Sequence, residues 1–255
     1  MLISPLISII TINYNNAEGL KRTLHSVVNQ TYKEFEYIVI DGGSTDGSKE
    51  LIEEYSHDID YWISEPDTGI YNAMNKGILA SKGNYLLFIN SGDELFDLNV
   101  LDKNIGYIHT EDLIYFDIYL IFSDKEKYHY YPETLHFRTF IEGSIGHPTT
   151  FIKRDLFKKI GCYDETLQIV ADWKFFLEAI VKFNCSRKKV NAVLSKFYMD
   201  GISSINEGLV DKERTHVLSK EFWMHLRYYE IGILVNNVKN TDPRIFIKKI
   251  IKKIL

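Results

Sequence analysis

Apolar residues run almost unbroken through LISIITI (6–12), FEYIVI (35–40) and GNYLLFI (83–89), and turn-forming residues bound each run. Short continuous runs of this kind predict strands buried on both faces. Between them the apolar positions shift to helical spacing, over 17–30, 46–56 and 69–81. Leu20, Leu24, Val27 and Val28 form one such stripe. IDYWIS (59–64) predicts a further short strand. The β-α-β-α order implies a mostly parallel, Rossmann-like sheet with helices on both faces.

The second hundred residues follow a different rhythm. DLIYFDIYLIF (112–122) and EKYHYYP (126–132) predict antiparallel strands joined by the turn SDKEK. ADWKFFLEAIVKF (171–183) predicts an amphipathic helix, KKVNAVLSKFYM (188–199) a strand, and 206–230 one long helix. In the last fourteen residues, 242–255, isoleucines alternate with five cations behind Asp242 and Pro243, an N-cap and first helical position. The pattern divides the chain into a domain over 1–205 and a C-terminal helical extension over 206–255. Within the domain, about 1–100 makes one half and about 101–205 the other.

Composition narrows the function classes. With 255 residues, 45% apolar and 25% charged, the chain reads as an ordinary soluble globular protein. A net charge of −5 argues against nucleic acid as the main partner, because phosphate backbones need a basic surface. Cys162 and Cys185 have neither disulfide-framework nor zinc-site spacing, which fits a reducing, cytoplasmic setting. The N-terminal MLISPLISIITINYNN lacks a basic leader and contains Pro5, so it reads as the approach to a buried strand. The tail 242–255 has two readings: a helix lying on an anionic membrane at the cytoplasmic face, which we favour, or one packing on the protein or on a second subunit of a homodimer.

In open α/β sheets, ligands bind beyond the carboxyl ends of the strands. The first strand ends in Thr11, Asn13, Tyr14 and Asn15, the second in DGGSTDGS with Asp41 and Asp46, and the strand at 84–89 in NSGDE with Asp93 and Glu94. Each is ordinary turn chemistry; three on one edge point to a site. Neither the dinucleotide fingerprint nor the Walker sequence is present, since NYNNAEG follows the first strand.

SIITINYNN, YIVIDGGSTDGS, SEPDTGIYNAMNKGI, GNYLLFINSGDELF and GHPTTFIKRDLFKKIGCYDETLQIVADWKFF occur in that order from residue 7 to about 176. Together they resemble a family 2 glycosyltransferase with the GT-A fold, the nucleotide-diphospho-sugar transferase fold. The branch that builds bacterial capsule, O-antigen and exopolysaccharide is the nearest in pattern. The resemblance implies a nucleotide-sugar donor, most often a UDP-sugar, a divalent cation (Mn2+ or Mg2+), and a glycan or lipid-linked acceptor.

It also implies roles by position. Tyr14 would stack the base and Asp41 hydrogen-bond it, with Thr11 and Asn13 alongside; Gly42 replaces the second acid common there. Asp67, Asn75, Ser91 and Gly92 would border the nucleotide and donor sugar. Asp93 holds the last position of the metal-binding acidic motif, whose first acid is here Asn90. Asp172 matches the base of an inverting transfer, and its place at the start of an apolar helix favours an anion with a fixed aim. His147 reads either as an acceptor or phosphate contact or as a structural histidine. Asp46 reads as a helix cap or a site residue. Two rival functions remain at this level: a nucleotidyltransferase, and a non-catalytic module that binds nucleotide-sugars.

Overall fold

The computed structural model describes residues 6–199 and 206–238, so the tail 242–255 lies outside the described residues. Three parallel strands start the sheet: β1 (Ile7–Asn13), β2 (Phe35–Asp41) and β3 (Tyr61–Ser64). The helices α1 (Ala17–Val28), α2 (Ser48–Glu54) and α3 (Ile70–Ala80) follow them in turn. β4 (Tyr85–Phe88) then pairs with the other edge of β1, again parallel. The chain thus winds outward to β3 and returns across β1, making the β1/β4 boundary a topological switch point. Alternation divides β1 between two faces. Ile7 and Ile9 join Leu20, Leu24 and Val27 of α1 in one core cluster, as the helical stripe requires.

The second half mixes strand directions. It contains β5 (Glu94–Leu95), α4 (Val100–Asn104), β6 (Leu113–Ile121), β7 (Glu126–His129), α5 (Phe137–Glu142) and β8 (Thr150–Lys153). Next come α6 (Asp155–Ile160), α7 (Ala171–Val181) and β9 (Arg187–Tyr198). β6 and β9 pair parallel, and the other pairings of this half are antiparallel. Among the described residues the sheet order is β3-β2-β1-β4-β8-β6-β9-β5, with β7 on the edge of β6 that β8 leaves open. β8 runs antiparallel to β4, Leu86 facing Ile152 and Tyr85 facing Lys153. This reversal brings the residues just before β8 to the carboxyl end of β4.

The 112–122 and 126–132 segments pair antiparallel as expected, whereas β5 and β8 go beyond the sequence reading. The helix expected over 206–230 is two helices, α8 (Glu207–Glu221) and α9 (Trp223–Val238). The chain divides into two compact units, Met1–Glu207 and Gly208–Leu255. No helix among the described residues is long and apolar enough to cross a membrane.

Candidate active site

A cleft of about 870 Å³ opens where the carboxyl ends of β1, β2 and β4 meet the flank of β8. Of the expected site residues, Asn13, Tyr14, Asp67, Ser91, Gly92, Asp93, His147 and Asp172 line it. Thr11, Asp41 and Asn75 do not. Thr11 is fully buried, its hydroxyl 2.7 Å from the Ile89 carbonyl and 3.0 Å from the Tyr37 hydroxyl, so it ties β1 to its neighbours. Asn75 braces α3: its amide donates to Tyr163 O at 2.9 Å and Glu165 Oε1 at 2.7 Å, and its oxygen accepts from Tyr163 N.

Asp41 is also a bracing residue. Its Oδ1 accepts from Asn13 Nδ2 and Ser44 Oγ, and its Oδ2 from Ser44 N and Ser64 Oγ. Those four bonds fill the acceptor capacity of a carboxylate. Burial raises the Asp41 pKa, but the surrounding hydroxyls, amide and backbone N–H outweigh it and leave the net shift downward. Asp41 therefore fixes Asn13, whose Oδ1 is buried with no hydrogen-bond partner among the described residues. Asp46 joins two helix starts, accepting from Ala17 N, Ser48 N and the Ser48 hydroxyl, although the N-caps themselves are Asn16 and Gly47.

Gly42 has a steric reason. A Cβ there would lie 2.5 Å from Asp67 Oδ2 and 3.1 Å from Tyr14 Cδ2. The Asp67 carboxylate thus occupies the space that a side chain at position 42 would take, beside the 66% exposed ring of Tyr14.

The loop after β4 is held from α1. Thr23 Oγ1 donates to Asp93 O at 2.7 Å and accepts from Gly92 N at 3.0 Å. Gly92 turns the chain at φ +107, where L residues are strained. Asp93 does not cap the helix that follows, because α4 starts at Val100 and Asp97 Oδ1 takes the Asn99 N–H. Among the described residues no group of three His, Cys, Asp or Glu could hold a metal ion unaided. A lone carboxylate suits a different arrangement: Mg2+ is commonly held by one or two carboxylates together with substrate phosphates and water. Asp93 fits a cation completed by a nucleotide.

Asp172 sits in the first turn of α7, which is anchored on both sides of it. Trp173 Nε1 donates to Phe140 O at 2.9 Å, and Phe175 stacks on Phe157 at 4.6 Å. Its carboxylate accepts from the Tyr71 hydroxyl at 2.8 Å on Oδ1 and from His147 Nδ1 at 3.0 Å on Oδ2. His147 Nε2 is 3.0 Å from the Asn90 amide. The β4–β8 reversal is what brings Asn90 and His147 together. Burial raises the Asp172 pKa, but the His147 hydrogen bond and charge, with Tyr71, hold it below the ordinary carboxylate value. Burial lowers the His147 pKa, and the Asp172 bond and charge, with the charge of Asp93, overcome that and raise it. Burial and the Asp172 charge push the Tyr71 hydroxyl well up.

Cleft residues that the sequence reading missed include Tyr71, Asn90 as the partner of His147, Arg22 and Tyr198. Tyr71 was reachable, since it falls inside GIYNAMNKGI at the first turn of a predicted helix. Arg22 gives no signal, because it falls off the α1 stripe and reads as a solvent cation.

Residues 8–173 match the family described as glycosyl transferase family 2. An uncharacterized glycosyltransferase of Mycobacterium tuberculosis is 34% identical over 215 residues, covering 81% of this chain and 80% of its own. A PGL/p-HBAD biosynthesis glycosyltransferase of Mycobacterium bovis is 27% identical, covering 82% of each. Among solved structures, S. aureus TarS 1-349 in complex with UDP superposes with a TM-score of 0.63 at 16% identity, over 84% of this chain and 72% of that one. The mannosyltransferase PcManGT from Pyrobaculum calidifontis, in complex with GDP-Man and Mn2+, gives 0.59 at 13% identity, over 99% and 69%. The fold is the GT-A-like one that the motifs implied. Motif order, family match and relatives agree, and the chain belongs to glycosyl transferase family 2.

Proposed function

We propose that the chain is an inverting glycosyltransferase. It moves a sugar from a nucleoside-diphosphate sugar, a UDP-sugar first among the candidates, to a hydroxyl of a glycan or lipid-linked acceptor in bacterial surface polysaccharide synthesis. The observation that carries the reading is the partly buried hydrogen-bonded chain Asn90–His147–Asp172–Tyr71, which starts at the carboxyl end of β4 and lines the cleft. TarS bound to UDP-GlcNAc and PcManGT bound to GDP-Man support a nucleotide-sugar donor. The basic amphipathic pattern of 242–255 supports an acceptor at a membrane surface.

The mechanism is a single displacement. The acceptor oxygen attacks the anomeric carbon as the bond from that carbon to the diphosphate oxygen breaks, and Asp172 takes the hydroxyl proton. His147 and Tyr71 each donate to one carboxylate oxygen, which fixes the aim of Asp172 and leaves acceptor capacity for the substrate. A divalent cation bound at Asp93 would neutralise charge on the departing diphosphate. Tyr14 offers an exposed ring for the base, and Asp67, rather than Asp41, a carboxylate for a base N–H.

The test is to incubate the chain with a panel of nucleotide-sugars and acceptors, with and without Mn2+ or Mg2+, and to measure released nucleoside diphosphate and the anomeric configuration of the product. Diphosphate release with inversion supports the reading. Release of a sugar 1-phosphate, from attack at the phosphorus next to the nucleoside, would mark a nucleotidyltransferase, and binding without release a non-catalytic module; either overturns it.

A further inference from the structure

We propose that Arg22 is the cation that binds the donor's diphosphate, and that the ring of Tyr198 holds it in place. The inference rests on the glycosyltransferase reading of the cleft and adds the group that meets the donor's charge. Three carboxylates line the cleft, Asp67, Asp93 and Asp172, against one guanidinium and no lysine among the described residues. His147 is already committed to Asp172 and Asn90. Among the described residues that line the cleft, Arg22 is the one permanent cation not already hydrogen-bonded to a cleft carboxylate.

The position of Arg22 is fixed by its neighbours. The adjacent Thr23 is bonded to the loop that carries Asp93, through Asp93 O, Gly92 N and Asn90 O. At the N-cap of α1, Asn16 Nδ2 donates to Ser91 O and Ser91 Oγ to Asn16 O, closing the same seam. The backbone of Arg22 therefore stands beside the loop that carries Asp93.

The side chain is held over an aromatic ring. The Arg22 guanidinium carbon lies 4.5 Å from the centroid of the Tyr198 ring. The Tyr198 hydroxyl donates to Glu94 Oε1 at 2.5 Å, so the ring is tied to the residue that follows Asp93. Stacking uses the flat face of a guanidinium and leaves its in-plane N–H donors available. Among the described residues no salt bridge to Arg22 uses those donors. A planar fork with a free edge, at the wall of a cleft, matches two phosphate oxygens. Asp93 is the one acid of the Asn90–Asp93 loop, and a protein cation beside it supplies neutralisation that does not depend on the metal.

The experiment measures binding of UDP and GDP, and of uridine and guanosine, to the wild type, Arg22→Ala and Arg22→Lys, in EDTA and in Mn2+. The thermal midpoints of the free proteins serve as the folding control. The expected result is that Arg22→Ala weakens diphosphate binding in EDTA by about tenfold or more, leaves nucleoside binding unchanged, and is partly rescued by Mn2+. Arg22→Lys should fall between the two, having the charge without the stacked fork. Unchanged diphosphate binding in Arg22→Ala would overturn the proposal and leave the cleft's assignment standing, and so would an equal loss of nucleoside and diphosphate. A wild type that binds neither diphosphate under either condition would overturn both.

Discussion

His147 Nδ1 and Asp172 Oδ2 lie 3.0 Å apart in a half-buried pair, with side chains 15% and 22% exposed. Each shifts the other: the carboxyl pKa goes down and the imidazole pKa goes up. The pair is an imidazolium and a carboxylate between those two values. A neutral ring with its proton on Nδ1 accepts from the Asn90 amide, while a protonated ring needs the amide oxygen, which a half-turn of Asn90 supplies.

His147→Gln should move the acid limb of kcat/KM to higher pH. The base form of Asp172 is present above its pKa and lost as pH falls through it. Removing the imidazole removes the largest lowering influence and leaves burial, which raises the pKa. The linked stability has its own sign. A raised imidazole pKa gives stability that is complete below about 6.5 and lost as pH rises through the folded value. Thermal midpoints across neutral pH should therefore fall in the wild type and fall less in the variant. An acid limb that does not move would show that His147 leaves Asp172 unaffected.

Asp172→Asn should lower kcat by about 10²–10⁴-fold with nucleotide affinity nearly intact. An amide cannot take the acceptor proton, while the cleft walls at Tyr14, Asp67 and Ser91 are untouched. Single-turnover rates with calorimetric nucleotide affinities check this, and retained turnover would remove Asp172 from the base role.

Asp67→Asn should weaken binding of the nucleoside itself, with kcat largely kept at saturating donor. A single charge-assisted hydrogen bond of this kind is worth about 1.5–3 kcal/mol. Gly42→Ala probes the same contact sterically, since its Cβ must displace the Asp67 carboxylate. The check is nucleoside affinity in both variants, set against Asp41→Asn. That change should cost stability, because the four donors around Asp41 lose a charged partner.

Much of this was legible in the sequence, and the failures have physical causes. β1, β2 and β4 are continuous apolar runs, and the periods of α1, α3 and α7 are strong. β5, with two residues, and β8, with four, carry no periodic signal, because their place is set by pairing with β9, β4 and β6. The motif order marked the cleft, but residue type could not say which polar group faces it. Thr11 lies deep on β1 against Tyr37, and Asp41 spends its acceptors on the ends of β1 and β3 and on Ser44. The His147–Asn90 contact depends on an antiparallel crossing that no local pattern encodes.

The last prediction concerns the second half of the sheet. Lys189 of β9 and Asp117 of β6 form an ion pair at 2.6 Å with side chains 2% and 5% exposed, beside the register shift in that strand pair. Asp117 Oδ1 also accepts the Tyr131 N–H, and the Tyr131 hydroxyl accepts from Gly146 N, one residue before His147. Lys189→Met strands a buried carboxylate and should lower the unfolding free energy by about 3–5 kcal/mol. Pairing it with Asp117→Leu removes the stranded charge but leaves the Tyr131 N–H without its acceptor, a residual cost of about 1–3 kcal/mol. Urea unfolding of the single and double variants measures both. A double variant no more stable than Lys189→Met would show that the loss lies in packing rather than in the unpaired charge.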